Sequence, residues 1–296
     1  MVLLYAREGQ LANRLWQAAH FVSNAIEHNY LLLHLGFAEY IIYFNENAIG
    51  QLKDHKKVRI IDFETTSKKD RLLIKYANLS LQNKEKKKEH FPFVTEIKFF
   101  NQTPGGEGYD ISVHEFTKVA SKRIVLVDGW QYTDRAALHK HADIIRKIFT
   151  PNKKYLNNIQ HLKEKSFSKY EKVIGVHLRK GDYSSFNEGK WFYSNADYIH
   201  FMKQISLLPS FKNKKVGFLL CSDEKIDPAD FEDFSIIDST NFFVEDLYAL
   251  SDCDLIIGPP STFSSWAAFY GNKPLLHIFE KEMKITAGSF KTIKLI

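Results

Sequence analysis

The residues best suited to chemistry follow a short apolar run near the middle of the chain. Residues 173–176 read Val-Ile-Gly-Val, a pattern typical of a buried parallel strand, and His177, Arg179, Lys180 and Asp182 come directly after it. In open α/β sheets, ligands bind beyond the carboxyl ends of the strands. Four ionisable side chains at one strand end therefore indicate a functional cluster, although a strand that runs into a solvated, charged turn shows the same pattern.

Two further predicted strands also end in polar residues. Residues 221–223 (Cys-Ser-Asp) follow a strand expected at 216–220, and residues 258–265 (Gly-Pro-Pro-Ser-Thr-Phe-Ser-Ser) follow one expected at 254–257. Because the carboxyl ends of parallel strands lie at the same edge of a sheet, we expect the three clusters to converge.

The last of these clusters has the pattern of a helix start that binds phosphate. Ser261 and Thr262 are suitable N-caps, and Ser264 and Ser265 add two hydroxyls in the first turn. Arg179 carries a permanent charge and a bidentate fork, which suits a pyrophosphate and the negative charge that grows on it as a leaving group. The alternative for this arginine is a surface ion pair with the aspartate three residues later.

An Asp-x-Asp sequence at 252–254 resembles a metal-binding motif, but its position argues against that role. It precedes the strand expected at 255–257, so it lies at the amino edge of the sheet, opposite the predicted phosphate edge. His139 and His141 are two residues apart and face different sides of a helix, so they do not have the spacing of metal ligands. We therefore expect no metal site and no required divalent cation.

These clusters need an α/β framework to bring them together. The second half of the chain alternates between strands and helices, which predicts a parallel, doubly wound sheet. Strands are expected at 172–176, 216–220, 234–237, 254–257 and 274–278, and helices at 195–207, 243–250 and 263–270, the last closed by Gly271.

The first half opens with a strand, a glycine turn and a helix. Residues 2–6 predict the strand, and apolar residues at helical spacing predict a helix up to about His28, with Asn13 as its N-cap. Such a turn suits an anion or a sugar hydroxyl, and a purely structural cap fits it equally well. Further strands are expected at 30–35, 93–100 and 123–127, helices at 69–88 and 134–149, and a loop at the Gly-rich residues 104–108.

The polar, Lys-rich stretch 152–169 predicts a junction between two domains, which we place at 1–165 and 166–296. The 296 residues are 44% hydrophobic and 14% aromatic, as expected of a folded globular protein. The chain start lacks a signal-peptide pattern, and no apolar run has membrane-spanning length. Cys221 and Cys253 are expected to be buried free thiols, so we expect a cytoplasmic protein.

The formal net charge of +6 favours an anionic ligand or an anionic membrane surface. Peripheral association with the inner face of a membrane is therefore left open. Nucleic acid is a less favoured partner, because the one dense basic run, at 84–89, is interrupted by acidic residues and contains no aromatic residues. A solvated helix face explains that run better. The oligomeric state does not follow from the sequence.

Four segments, in order along the chain, resemble motifs of the α-1,2-fucosyltransferases, which form glycosyltransferase family 11. They are similar to the G-x-L-G-N turn, the aromatic-Gln stretch before the donor domain, the H-x-R-R-G-D-Y signature and the S-T-F-S-x-W-A-A motif, and they lie at 9–13, 128–131, 177–183 and 261–268. Lys180 stands where the family has a second arginine, and Ala12 stands where it has a glycine.

The resemblance implies a GT-B fold, with two Rossmann-like domains facing a cleft, a GDP-sugar donor in the C-terminal domain and an acceptor glycan against the N-terminal domain. It also implies inverting, metal-independent transfer of L-fucose from GDP-β-L-fucose, with a galactoside and an α-1,2 linkage as the expected acceptor and product. No other cofactor is expected.

Carried over to this sequence, the resemblance makes Arg179 the β-phosphate ligand and places Asn13 against the phosphate or the donor sugar. Together with Asp182, these are the expected catalytic residues. The remaining residues expected to bind the nucleotide or its phosphates are His177, Ser222, Asp223, Thr262, Phe263, Ser264 and Ser265.

No general base is evident in the matched motifs, and Glu8, Asp182 and Glu188 are the candidates. The departures at Ala12 and Lys180 leave another GDP-sugar or another linkage open. A sugar-nucleotide-binding protein without turnover is the alternative from a different class. We expect residues 37–120 to select the acceptor.

Overall fold

The computed structural model describes residues 1–44, 55, 57–60, 67–87, 94–100 and 107–292. The chain divides into two compact units, Met1–Asn152 and Lys153–Lys294. The division falls at the start of the polar stretch 152–169, so the helix that follows Asn152 belongs to the second unit, whereas a boundary at 165 assigns it to the first. The Gly-rich residues 104–106 lie outside the described residues, and no regular element is assigned at 107–108.

The first unit is built on a parallel sheet of five strands. Its strands are β1 (Val2–Leu4), β2 (Leu32–His34), β3 (Val58–Ile60), β4 (Val94–Phe100) and β6 (Ile124–Trp130), and a separate parallel pair is formed by β5 (Tyr109–Asp110) and β7 (Tyr132–Thr133). The order across the sheet is β3-β2-β1-β6-β4. Strands β1, β2 and β3 are three residues long and mostly buried, which fits a sheet covered on both faces.

In the described part of this unit, five helices accompany the sheet: α1 (Leu11–His28), α2 (Lys68–Lys87), α3 (His114–Lys122), α4 (Arg135–Lys140) and α5 (Ala142–Ile148). The prediction of one helix at 134–149 is wrong. His141, with φ −104° and ψ 14°, interrupts the helical backbone between α4 and α5. Periodicity alone does not detect such a break, because the apolar spacing continues on both sides of it.

The second unit contains a sheet of six strands. These are β8 (Lys172–Leu178), β9 (Val216–Ser222), β10 (Ile236–Asp238), β11 (Leu255–Gly258), β12 (Pro274–His277) and β13 (Lys291–Thr292), in the order β10-β9-β8-β11-β12-β13. All neighbours are parallel except β12 and β13, which are antiparallel. The prediction of a parallel, doubly wound sheet is confirmed for β8 to β12.

In the described residues, α6 (Lys153–Lys165) precedes this sheet, and α7 (Asn195–Ser206), α8 (Phe243–Asp252) and α9 (Thr262–Gly271) connect its strands. α7 begins with a capping box at Ser194 and Asp197, in which each side chain accepts from the other residue's backbone N–H. The prediction that Gly271 closes the last helix is wrong by one residue. Asn272 takes the left-handed conformation, with φ 51°, and Gly271 is the last helical residue.

Central strand β8 has residues 173–178 buried, because its sheet is covered on both faces. Its apolar side chains belong to a core that includes Phe201 and Met202 from α7 and Phe218 from β9. In the described part of the chain, no helix is both long enough and apolar enough to cross a membrane.

The Asp-x-Asp sequence has a structural role at the amino edge of the second sheet. Asp254 accepts hydrogen bonds from the backbone N–H of Val173 at 2.8 Å and from Lys172 Nζ at 2.6 Å. Asp252 forms an ion pair with Lys163 at 3.0 Å. Both carboxylates therefore tie neighbouring elements to the start of β11, on the side of the sheet away from the carboxyl ends.

Replacing Asp254 by Ala should lower the free energy of unfolding by roughly 1–3 kcal/mol, because the buried Val173 N–H loses its partner. Asp252→Ala is the matched control, and its loss should stay below about 1 kcal/mol, since its ion pair is partly solvated. Urea unfolding measures both values. Equal losses of unfolding free energy in the two variants would contradict the structural role assigned to Asp254.

Candidate active site at the carboxyl edge of the second sheet

The order of the second sheet creates a crevice between β8 and β11. From β8 the chain moves outward to β9 and β10, then returns to place β11 on the other side of β8, with Val176 opposite Ile257. Ligands of doubly wound sheets bind at such a switch point. The loop that carries Arg179 and the loop before α9 therefore leave the sheet side by side, as the sequence predicted.

Direct contacts join these two loops. The Tyr183 hydroxyl donates to the Pro260 carbonyl at 2.6 Å, and the His177 ring stacks on the Phe263 ring at 5.0 Å between centroids. Gly258 makes the close approach of the strand ends possible, because a Cβ at this position would lie 2.8 Å from the His177 carbonyl oxygen. The first and third polar clusters thus form one surface.

Arg179 lies within this surface and is held by two carboxylates. Its Nη2 lies 2.9 Å from Asp182 Oδ1, and its Nη1 lies 3.1 Å from Asp223 Oδ2. The guanidinium carbon is 5.5 Å from the centre of the Tyr183 ring. The ion pair with Asp182, considered as an alternative from the sequence, is therefore present, and the second cluster joins the site through Asp223.

Lys180 points away from this open surface. Its side chain is buried, and Nζ donates to the Tyr193 carbonyl at 2.7 Å and lies 5.3 Å from the centre of the Tyr198 ring. Burial lowers its pKa. Its backbone N–H donates to Asp223 Oδ1 at 2.8 Å, so it helps to fix that carboxylate. The departure from the family motif at Lys180 therefore affects packing behind the site.

Helix α9 begins as predicted, with one correction. Ser261 is the N-cap, and its hydroxyl accepts from the Phe263 N–H at 3.2 Å. The hydroxyls of Ser264 and Ser265 donate back to the Ser261 carbonyl at 3.3 and 2.8 Å. Ser264 is fully buried, so the prediction that its hydroxyl contacts phosphate directly does not fit this arrangement. Thr262 and Phe263 are partly exposed at the helix start.

Two neutral histidines lie behind the helix start. Burial, together with the charge of Arg179, lowers the pKa of His177 to about 3. Burial lowers the pKa of His277 to about 4, and its Nε2 lies 3.4 Å from the hydroxyl oxygens of both Ser264 and Ser265. Neither imidazole adds positive charge near neutral pH, so among His177, His277 and Arg179 only the arginine is cationic.

A cavity of about 630 Å³ lies at the ends of β9 and β10. Its walls include Ser222 and Asp223 after β9, and Asp238 and Ser239 after β10. The Ser222 hydroxyl accepts from the Glu224 N–H at 3.1 Å. This volume falls within the range of small-molecule sites. Asp223 both lines the cavity and pairs with Arg179, so it links the cavity to the loop that follows β8.

The first unit has its own switch point, between β1 and β6. Gly9, with φ +68°, forms the turn after β1. The prediction that Asn13 is the N-cap is wrong: Gln10 precedes α1, and Asn13 lies inside its first turn, with its amide packed over Gly9. Gln17 from α1 donates to the Gly129 carbonyl at 3.3 Å, which links the helix to the end of β6.

Arg14 holds the β1–α1 turn, and sequence reasoning missed it. Its Nε donates to the Gly9 carbonyl at 3.1 Å, and its Nη1 donates to the Gly36 carbonyl at 2.6 Å and pairs with Glu39 at 2.8 Å. An arginine one position after a motif gives no sequence signal for this role. Glu8 and Asn13 belong to this first unit, whereas Arg179, Asp182 and Glu188 belong to the second.

Tyr183 and His277 were also missed. Tyr183 is the last residue of the H-x-R-R-G-D-Y match, so the sequence did contain a signal for it. An aromatic residue after a charged run, however, usually indicates a packing role. His277 lies 98 positions after Arg179 and reaches the site only through the pairing of β12 with β11, which places Gly258 opposite His277. That contact cannot be derived without the strand order.

The comparisons with known proteins agree with this arrangement. The family model described as Glycosyl transferase family 11 matches residues 106–284, which is more than half of the chain. The chain therefore belongs to glycosyl transferase family 11, and it is a glycosyltransferase by family. The match includes the motifs at 128–131, 177–183 and 261–268, whereas the turn at 9–13 lies outside it. A search of the curated proteins finds no match.

Solved structures of fucosyltransferases share the fold. A mutant of Arabidopsis thaliana FUT1 in complex with GDP has 11% identity and a TM-score of 0.56, over 98% of this chain and 73% of that one. The fucosyltransferase NodZ from Bradyrhizobium has 14% identity and a TM-score of 0.56, over 98% and 97%. POFUT1 in complex with GDP-fucose has 11% identity and a TM-score of 0.54, over 92% and 94%. The predicted GT-B type, with Rossmann-like α/β units, is confirmed.

Replacing Tyr183 by Phe should loosen both loops of the crevice, because the ring stays while the bond to Pro260 is lost. One such bond is worth about 1 kcal/mol, which corresponds to roughly fivefold faster amide exchange in 179–183 and 259–263. Hydrogen–deuterium exchange measures this. Tyr193→Phe, which loses a buried bond to the Ile278 carbonyl, is the matched control. Unchanged exchange at 259–263 would show that Tyr183 does not link the loops.

Replacing His277 by Gln should reduce the acid sensitivity of the fold. The folded pKa of about 4 lies below the ordinary value of 6.5, so the unfolded chain binds more protons in this window and stability falls as pH drops through it. One histidine contributes up to about 1.4 kcal/mol per pH unit. Urea unfolding between pH 7 and pH 4.5 should give a shallower slope for the variant. Identical slopes would mean that His277 is not held neutral.

Proposed function

We propose that the protein transfers L-fucose from GDP-β-L-fucose to a hydroxyl of a glycan with inversion, and that the product is an α-1,2 linkage on a galactoside. The observation that carries the proposal is the paired arrangement at the switch point of the second unit. Arg179 follows β8, and the start of α9 follows the adjacent β11. The fucosyltransferase neighbours that contain GDP or GDP-fucose support the same donor class.

The donor would occupy the cavity and the crevice, which share Asp223. The guanosine is assigned to the cavity beside Ser222 and Asp223, and the diphosphate to Arg179 and the first amides of α9. The amino end of a helix favours negative charge, and an arginine fork matches phosphate oxygens. His177 and Phe263 form a stacked, neutral wall of this surface.

Binding of a diphosphate requires Arg179 to exchange one of its two carboxylate partners. Asp182 is the more exposed, with 61% of its side chain accessible against 23% for Asp223, and Asp223 also holds the Lys180 N–H. Release of an exposed carboxylate from an ion pair into water costs little free energy. Asp182 is therefore the partner that the β-phosphate would replace, while Asp223 keeps the guanidinium oriented.

Leaving-group stabilisation is the main catalytic contribution in this proposal. Negative charge grows on the β-phosphate as the glycosidic bond breaks, and a guanidinium fixed beforehand stabilises that charge more strongly than it stabilises the bound donor. An oxocarbenium-like transition state with early departure of GDP needs less help from a base. Glu8, Asp182 and Glu188 stay the candidates for that base. Asn13 is retained as a residue that faces the donor.

A metal-independent reaction forms part of the proposal. Arg179 supplies the positive charge that a divalent cation would otherwise place on the diphosphate. The Asp-x-Asp carboxylates are engaged with Lys163, Lys172 and a backbone amide at the opposite edge of the sheet. Cys221 and Cys253 are buried free thiols, which supports a reducing, cytoplasmic setting.

One incubation separates this proposal from its alternatives. The protein is mixed with GDP-fucose, a panel of β-galactosides and EDTA, and free GDP and fucosylated product are measured. We expect both to form despite the chelator. Turnover with a different GDP-sugar only, or a product with another linkage, would correct the donor or the regiochemistry. Binding of GDP-fucose without release of GDP would identify a non-catalytic binding protein.

Replacing Arg179 by Ala should lower kcat by roughly 100- to 1,000-fold, since one preorganised contact to a developing charge is worth about 3–4 kcal/mol. Arg179→Lys should recover part of the rate, because it keeps the charge and loses the fork. Arg146→Ala, which removes an exposed ion pair with Asp143 in the first unit, is the matched control and should leave kcat unchanged. A loss below about tenfold in Arg179→Ala would remove this residue from the mechanism.

A further inference from the structure

In the described part of the chain, one face of helix α2 packs against the first unit. Ile74 is buried in a cluster with Leu3, Leu33 and Leu126. On the same side of the helix, four residues earlier, Asp70 is buried and accepts from Arg59 Nη1 at 2.6 and 2.8 Å. These contacts fix which side of the helix points outward.

The opposite face carries large apolar side chains that are exposed. Leu72 is 67% accessible, Tyr76 50% and Leu79 48%. Their spacing of four and three residues places them on one stripe of a helix, and at about 100° per residue this stripe lies roughly opposite Asp70 and Ile74. A helix that is merely solvated on this side would carry polar residues here. Single exposed leucines are common, but an ordered stripe of three residues points to a contact.

Cations border this stripe on both sides. Lys69 lies on one side, and Lys68, Arg71 and Lys75 lie on the other, all of them exposed. Asp70 is the one acidic residue in the sequence from 67 to 79, and its carboxylate is buried against Arg59. From Lys68 to Leu79, the exposed charged side chains around the apolar stripe are therefore all cationic.

An apolar stripe with basic flanks fits the interface of an anionic bilayer. Apolar side chains enter the acyl boundary while lysine and arginine side chains reach the headgroups, and both contacts form in one plane without a shaped partner. The formal net charge of +6 adds to this attraction. A second copy of the chain is a weaker candidate, because it would bring a second set of the same cations against the first.

We infer that the outer face of α2, formed by Leu72, Tyr76 and Leu79 with its flanking cations, is a docking surface for anionic lipid. This face belongs to the first unit, and none of its residues has a role in the donor site proposed above. Failure of the transferase proposal therefore leaves this inference intact, and the reverse also holds.

Cosedimentation with vesicles tests the inference. The full chain is mixed with phosphatidylcholine vesicles that contain either no anionic lipid or about one third phosphatidylglycerol. We expect binding to the anionic vesicles that weakens with added salt, and little binding to the neutral ones. Absence of binding to the anionic vesicles at low salt would overturn the inference.

Two double variants locate the surface. Leu72→Ser with Leu79→Ser, and separately Lys69→Glu with Lys75→Glu, should each weaken vesicle binding at least about tenfold. The matched controls are Leu207→Ser, which alters a leucine 73% exposed in the second unit, and Lys212→Glu with Lys214→Glu. Thermal denaturation and gel filtration confirm that each variant is folded.

The pattern across these variants decides the outcome. Loss of binding in the α2 variants, with the controls retained, supports the inference. Equal loss in the controls would show that general positive charge causes binding, and would overturn it. Self-association that disappears in Leu72→Ser with Leu79→Ser, without vesicle binding, would also overturn it, since the stripe would then bind a second copy.

Discussion

The site depends on one constraint of the second sheet: β8 and β11 are adjacent and parallel, although about eighty residues separate them in the chain. Because the chain leaves β8 in one direction and returns on its other side, two loops that are distant in sequence emerge together. The bond from Tyr183 to the Pro260 carbonyl and the stacking of His177 on Phe263 then hold these loops in contact. The loop that carries Arg179 and the start of α9 share one edge of the sheet because this strand pairing exists.

Electrostatic balance shapes the same region. A guanidinium between two carboxylates is stable in the absence of ligand, and it is already oriented when a diphosphate arrives. The nearby imidazoles stay neutral because they are buried, so they add no positive charge to that of Arg179. An oriented guanidinium suits directional recognition of phosphate, whereas a diffuse basic surface binds anions without orientation.

The sequence predicts much of this framework because buried parallel strands and their polar ends leave clear patterns. The run at 173–176, the polar residues after it and the Ser-Thr helix start all lie where we expected them. The family match extends these local patterns to a class of enzyme. Strand order is harder to predict, since it depends on long-range pairing, and for this reason His277 and the bond of Tyr183 to Pro260 were not foreseen.

The incorrect predictions for individual side chains share a physical cause. A serine or asparagine near a helix start suggests a cap or a ligand contact, but its side chain can also bond within its own turn, as Ser264 does, or pack over a glycine, as Asn13 does. The residue type determines which hydrogen bonds a side chain can form, and the backbone conformation determines which partner it reaches. Lys180 illustrates the same limit, because its charge suggested a role in the open site, whereas its ammonium group lies buried against the Tyr193 carbonyl.

The central claim is that Arg179 and the start of α9 hold one diphosphate between them. A crystal structure of the protein with GDP tests this most directly. The account predicts β-phosphate oxygens within hydrogen-bonding distance of the Arg179 guanidinium and of the first amides of α9, with Asp182 displaced and Asp223 still paired. GDP bound at another edge of the sheet, with Arg179 still held by both carboxylates, would contradict it.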